Sequence, residues 1–134
     1  MEDLVLSIEQ CRHLQELGLD MSDAKMYWTM CVGRDGKKNR CVLGIKDGIL
    51  ERCYSSDDIV STYTLQEIWE KLPDEIPYDD FGTICELNIN TATQSMVYET
   101  PDRYYTLHGM YSKNLLETSY NMLCWVIENG YLKK

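Results

Sequence analysis

Basic residues are scarce: 13 Lys and Arg stand against 22 Asp and Glu in a chain of 134 residues, which leaves a formal charge of −9 at pH 7. Such a chain repels a phosphate backbone and gives no electrostatic footing to nucleic acid or to an anionic membrane surface. Long apolar runs are missing too, and no stretch approaches the roughly 20 residues needed to span a bilayer. The opening residues Met1, Glu2 and Asp3 are acidic where an export signal is basic, and the apolar run behind them stops at Leu6. These absences predict a cytoplasmic protein that engages neither nucleic acid nor membrane directly.

The usual signatures of catalysis are also absent. There is no Cys-x-x-Cys or His-x-x-x-His spacing, no glycine-rich phosphate loop, no nucleophile elbow and no dinucleotide fingerprint. Cys11 and His13 stand two apart on a predicted helix and point to different sides, so they do not form a ligand pair. The expectation is a non-enzymatic protein with no catalytic residue, no metal and no cofactor.

Six cysteines are present: Cys11, Cys31, Cys41, Cys53, Cys85 and Cys124. They are scattered among apolar neighbours, as buried thiols tend to be, and the chain is too long and too well supplied with core residues to need a disulfide framework. Free, reduced thiols and no disulfide are expected.

Apolar residues make up 44% of the chain and charged residues 26%, as in ordinary globular domains. The length suits a single domain over residues 1–134. Ser7 and Gln10 have the form of a capping box, after which Ile8, Cys11, Leu14 and Leu17 recur at helical spacing until Gly18. Met26, Trp28, Met30 and Val32 alternate along a predicted strand over 25–33, and a second strand over 40–46 follows a polar turn at 34–39. Asp47-Gly48 is a strong hairpin signal, so a third strand over 49–54 should pair with the second to give a meander.

Beyond a polar loop at 55–61, Thr64 and Glu67 form a second capping box, with Tyr63 and Ile68 set for a hydrophobic staple. The helix there turns Leu65, Ile68, Trp69 and Leu72 inward and stops before Pro73. Residues 74–81 read as an acidic, proline-containing connector and the most mobile segment. Three more strands are predicted over 83–90, 95–100 and 103–110, the last two joined at Pro101-Asp102. A final helix starts near Ser112, carries Leu115, Leu116, Ser119, Leu123, Val126 and Ile127 on one side, and closes at Asn129-Gly130.

The expected fold is therefore α+β, in the order α-βββ-α-βββ-α, with an antiparallel sheet of five to six strands and helices packed on one face. The two capping boxes suggest an internal pseudo-repeat of 7–54 and 64–110, followed by the C-terminal helix.

The segments Gln10–Asp20, Lys25–Trp28, Tyr63–Pro73 and Leu115–Lys134 resemble pieces of small uncharacterised proteins of Bacteroides-type bacteria and their prophage-like elements. In that group a Gln-x-x-x-Leu-x-x-Leu-Gly helix opens the domain and a Trp-x-Ile-Glu-x-Gly segment closes it, as at Gln10–Gly18 and Trp125–Gly130 here. The resemblance implies a bacterial cytoplasmic setting on a mobile element, with action through bound proteins, and it brings no activity or catalytic residue.

Ten Tyr and three Trp against one Phe favour side chains with an apolar body and a polar tip, which suit half-wet contact surfaces. Strand alternation would turn Tyr27 outward and set Tyr104 and Tyr105 on opposite faces, so these three are the candidate anchors for a protein partner or for a second copy in a homodimer. An alternative reading is a small-molecule binder or small enzyme whose cleft brings His108 together with Asp79 or Asp80 as acid and base. A third is an acidic inhibitor that mimics nucleic acid, for which the carboxylates would have to line one side.

Overall fold

In a computed structural model, the described residues are 5–32, 38–45 and 59–132. They divide into two compact units, Met1–Glu67 and Ile68–Lys134. The class is α+β with antiparallel pairing throughout the described strands.

The first unit begins with α1 (Ile8–Glu16). Its capping box forms as the sequence requires: the Gln10 amide donates to Ser7 Oγ (3.2 Å) and the Ser7 amide donates to Gln10 Oε1 (3.0 Å). Cys11 and Leu14 are buried, and Gly18 takes the left-handed conformation, φ 98°, that ends the helix without a Cβ clash. The sheet of this unit comprises β1 (Met26–Val32), β2 (Lys38–Ile45) and β3 (Ile59–Thr62) in the order β2-β1-β3.

A strand over 59–62 corrects the expected polar loop at 55–61. Val60 and Thr62 point inward and Ile59 and Ser61 are half-buried, so a four-residue strand is enough to cover one edge of β1. The expected turn at Asp47-Gly48 and strand over 49–54 lie outside the described residues. The Leu6 carbonyl ties the chain start to this sheet by accepting from Trp28 Nε1 and from Thr62 Oγ1, both at 2.8 Å, which uses both of its lone pairs.

β1 is central and buried on both faces, since Tyr27, Trp28 and Thr29 are all buried in succession. Tyr27 is only 8% exposed, which corrects the expected outward orientation. It stands opposite Gly44, and its ring occupies the space a Cβ on Gly44 would need. An aromatic ring laid over a strand glycine in this way restores the apolar cover that the glycine lacks.

The helix α2 (Leu65–Lys71) starts from the second capping box, in which the Thr64 amide donates to Glu67 Oε1 (3.1 Å) and the Glu67 amide donates to Thr64 Oγ1 (3.3 Å). Ile68 is fully buried, and Pro73 follows the last turn.

The second unit holds a four-stranded meander of β4 (Glu75–Pro77), β5 (Ile84–Asn90), β6 (Ser95–Glu99) and β7 (Thr106–Tyr111), in sequence order. The described order is thus α-βββ-α-ββββ-α, with strands in two sheets of three and four, not one sheet of five to six. The extra strand, β4, lies within the expected connector: Glu75, Ile76 and Pro77 pair with Glu86, Cys85 and Ile84, and Ile76 is buried against the core. A three-residue edge strand with a proline leaves too short a pattern to read from sequence.

The last helix, α3 (Leu115–Glu128), is capped by Asn114, whose Oδ1 accepts from the Glu117 amide at 2.8 Å. It buries Thr118, Ser119, Met122, Leu123 and Val126 and packs on one face of the meander. Ser119 Oγ links this packing, accepting from Trp69 Nε1 (2.9 Å) and lying 3.2 Å from Met96 Sδ. On the covered face, Tyr98 donates its hydroxyl to the Pro73 carbonyl at 2.8 Å.

The opposite face of the meander is carboxylate-rich. Glu75, Glu86 and Glu99 are directly paired across three adjacent strands, which sets three like charges in a row. Arg103 lies 3.7 Å from Glu99, and Asn88 Nδ2 donates to Glu99 Oε1 at 3.0 Å.

Candidate functional site

Two turns of the second unit carry most of its exposed aromatics, while Tyr111, 83% exposed, stands apart from them at the end of β7. The first joins β4 to β5 and contains Tyr78, Asp79, Asp80 and Phe81; the second joins β6 to β7 and contains Asp102, Arg103, Tyr104 and Tyr105. Tyr78 stacks on Tyr105, with ring centroids 5.5 Å apart and planes at 29°, and Tyr104 meets Tyr105 edge-on at 4.9 Å and 72°. Tyr105 therefore sits in the middle of a three-ring cluster. Each contact of this kind contributes about 0.5–1.5 kcal/mol beyond area burial, enough to hold the rings in place while their outer surfaces stay wet.

Both turns are built by aspartates. Asp79 Oδ1 accepts from the Phe81 and Thr83 amides, each at 3.0 Å. Asp102 Oδ1 accepts from the Thr100 hydroxyl (2.6 Å) and the Tyr104 amide (2.9 Å). Although desolvation, the largest single influence on Asp79, works against it, the bonds from Thr83 and Phe81 together hold the Asp79 carboxyl below the usual carboxylate range; the bonds from Thr100 and Tyr104 do the same for Asp102. Both groups are thus anions at neutral pH.

The second turn is closed by the Arg103 amide donating to the Thr100 carbonyl (2.7 Å), and the Tyr105 amide donates to Thr100 Oγ1 (3.1 Å). This places Tyr104 and Tyr105 ahead of β7, not within it, so they do not alternate across a strand as expected. Tyr104 is 77% exposed, Tyr105 50% and Phe81 93%. Sequence reasoning found two of the three clustered rings; it missed Tyr78, whose only signal was its place beside the acidic pair Asp79-Asp80.

The ligand-cleft candidates are not brought together by their hydrogen bonds. Asp79 spends Oδ1 on its own turn, while His108 lies in β7 with its ring stacked on Trp125 of α3, centroids 4.3 Å apart. His108 Nε2 is buried and has no hydrogen-bond partner, and burial lowers the imidazole pKa. Asp80 is exposed in its turn.

Among the described residues, no group of three or more His, Cys, Asp or Glu is placed to hold a metal ion, and no helix is long and apolar enough to cross a membrane. Cys11, Cys85 and Cys124 are free thiols. Burial pushes Cys11 up to about 11 and raises Cys85 and Cys124 as well, so none of the three has the lowered pKa of a nucleophilic cysteine. The chain matches no protein-family model, no curated protein and no solved structure.

Proposed function

We propose that the protein is a non-catalytic cytoplasmic interaction domain, whose contact surface is the ring cluster of Tyr78, Tyr104 and Tyr105. The observation that carries this reading is the preorganised exposure of these rings. Large aromatics in water normally scatter singly, whereas here three are locked to one another and set on hydrogen-bonded turns. Rigid aromatic anchors lose little side-chain entropy on binding, which is why they dominate protein contact energetics. A partner protein or a second copy of this chain would be the occupant.

A photo-crosslinking residue in place of Tyr104, introduced in the cell that makes the protein, tests this. The expected result is a discrete protein adduct that disappears when Tyr78 and Tyr105 are changed to Ser, with no such adduct from the same residue placed at Asn90 on the far turn of the meander. Equal labelling from both positions, or none from Tyr104, overturns the reading.

A further inference from the structure

We propose that the ring cluster receives an arginine- or lysine-bearing segment of a basic protein. This inference rests on the interaction reading above and adds the chemistry of the partner. The faces of Tyr78, Tyr104 and Tyr105 carry the negative side of the aromatic quadrupole, to which a guanidinium or ammonium group is attracted when it lies within about 6 Å of a ring centre. The same two turns supply Asp79, Asp80 and Asp102 against one cation, Arg103, and hydrogen bonds keep Asp79 and Asp102 ionised.

Charge decides between candidate occupants. A second copy would bring the same carboxylates face to face in a chain that already carries −9 overall, and an acidic or phosphate-bearing partner would meet the same repulsion. A basic segment is complementary on both counts, with ring faces for its charged heads and carboxylates beside them. Arginine suits the site better than lysine, because its planar head stacks on an aromatic ring and still donates in plane to a carboxylate.

The probe is an acetylated, amidated (Arg-Gly)4 peptide, compared with its citrulline counterpart, which keeps the shape but loses the charge. Backbone amide resonances and calorimetry are read on the full-length protein. The arginine peptide should shift the amides of Phe81, Thr83, Tyr104 and Tyr105. Its affinity should fall at least about fivefold in a Tyr104→Ser/Tyr105→Ser variant of unchanged thermal stability, and at least about threefold in Asp80→Asn, since one good contact of this type is worth about 1 kcal/mol. The citrulline peptide should bind at least about tenfold more weakly.

Equal binding of the two peptides, or shifts that spare these turns and track Glu75, Glu86 and Glu99 instead, overturns the proposal. If that happens while the Tyr104 crosslink persists, the cluster is a contact surface for an uncharged partner and only the cationic assignment falls. If the crosslink is absent too, both readings fall together.

Discussion

The imidazole of His108 lies flat on the indole of Trp125, with ring centroids 4.3 Å apart and planes 1° from parallel. Because burial disfavours the charged ring, the folded state takes up this proton at lower pH than the unfolded chain, whose histidine titrates near about 6.5. Between those two values the unfolded state binds more protons. Stability from this site is therefore whole above about pH 6.5 and is lost progressively as pH falls towards the folded-state value. Denaturant titrations at about pH 7.5 and about pH 5.5 should show a larger loss for the wild type than for His108→Phe, which keeps a ring against Trp125 but has no proton to gain. Equal losses would remove this account of His108.

The row Glu75–Glu86–Glu99 sets like charges on directly opposed residues of three strands. Such pairs are unfavourable by roughly 0.2–1 kcal/mol each, and Glu86 belongs to two of them. Glu86→Gln should therefore raise the urea midpoint, and the gain should shrink in high salt, where screening already weakens the repulsion. A destabilised Glu86→Gln, or a gain indifferent to salt, would show that the three side chains splay apart.

Tyr63 is fully buried, yet its hydroxyl reaches Asp23 Oδ1 at 2.5 Å and the Asp20 carbonyl at 3.3 Å. Burial first, and then the Asp23 carboxylate, raise the phenol well above its ordinary pKa, so it stays a donor at any ordinary pH. Tyr63→Phe keeps the ring and deletes the bonds. A loss of about 1.5–3 kcal/mol is expected, the range for hydrogen bonds to a charged group, and denaturant unfolding would read it. A loss below about 0.5 kcal/mol would mean that solvent replaces the hydroxyl.

Arg103 holds φ at 62°, the left-handed region that favours glycine. That conformation costs a side chain of L configuration roughly 1–2 kcal/mol, while glycine adds back roughly 0.5–1 kcal/mol of unfolded-state entropy. The exposed ion pair with Glu99 at 3.7 Å contributes little. Arg103→Gly should thus stabilise the protein by up to about 1 kcal/mol in urea titration. It should also strengthen binding of the arginine peptide, because the local cation is gone. A less stable variant would show that the arginine stem packs on the turn.

Local rules were readable where they act within a few residues. The capping boxes at Ser7 and Thr64, the glycine stop at Gly18 and the closing helix all rest on neighbours three or four positions apart, and each is present in the structure. The α+β class follows from the same patterns. Tyr104 and Tyr105 were legible as candidate anchors from residue type, but the strand alternation expected to set them on opposite faces is replaced by a turn ahead of β7.

What the sequence by itself determined, then, is the class and the helix ends. Only the tertiary structure decided that Tyr27 is buried over Gly44, that Ile59–Thr62 is a strand on the far side of β1, that Glu75–Pro77 is a fourth strand of the meander, and that Tyr78 stacks on Tyr105. The reason is sequence separation. Each of these depends on a partner strand or turn many residues away, and alternation within a strand says which residues share a face but not what covers that face.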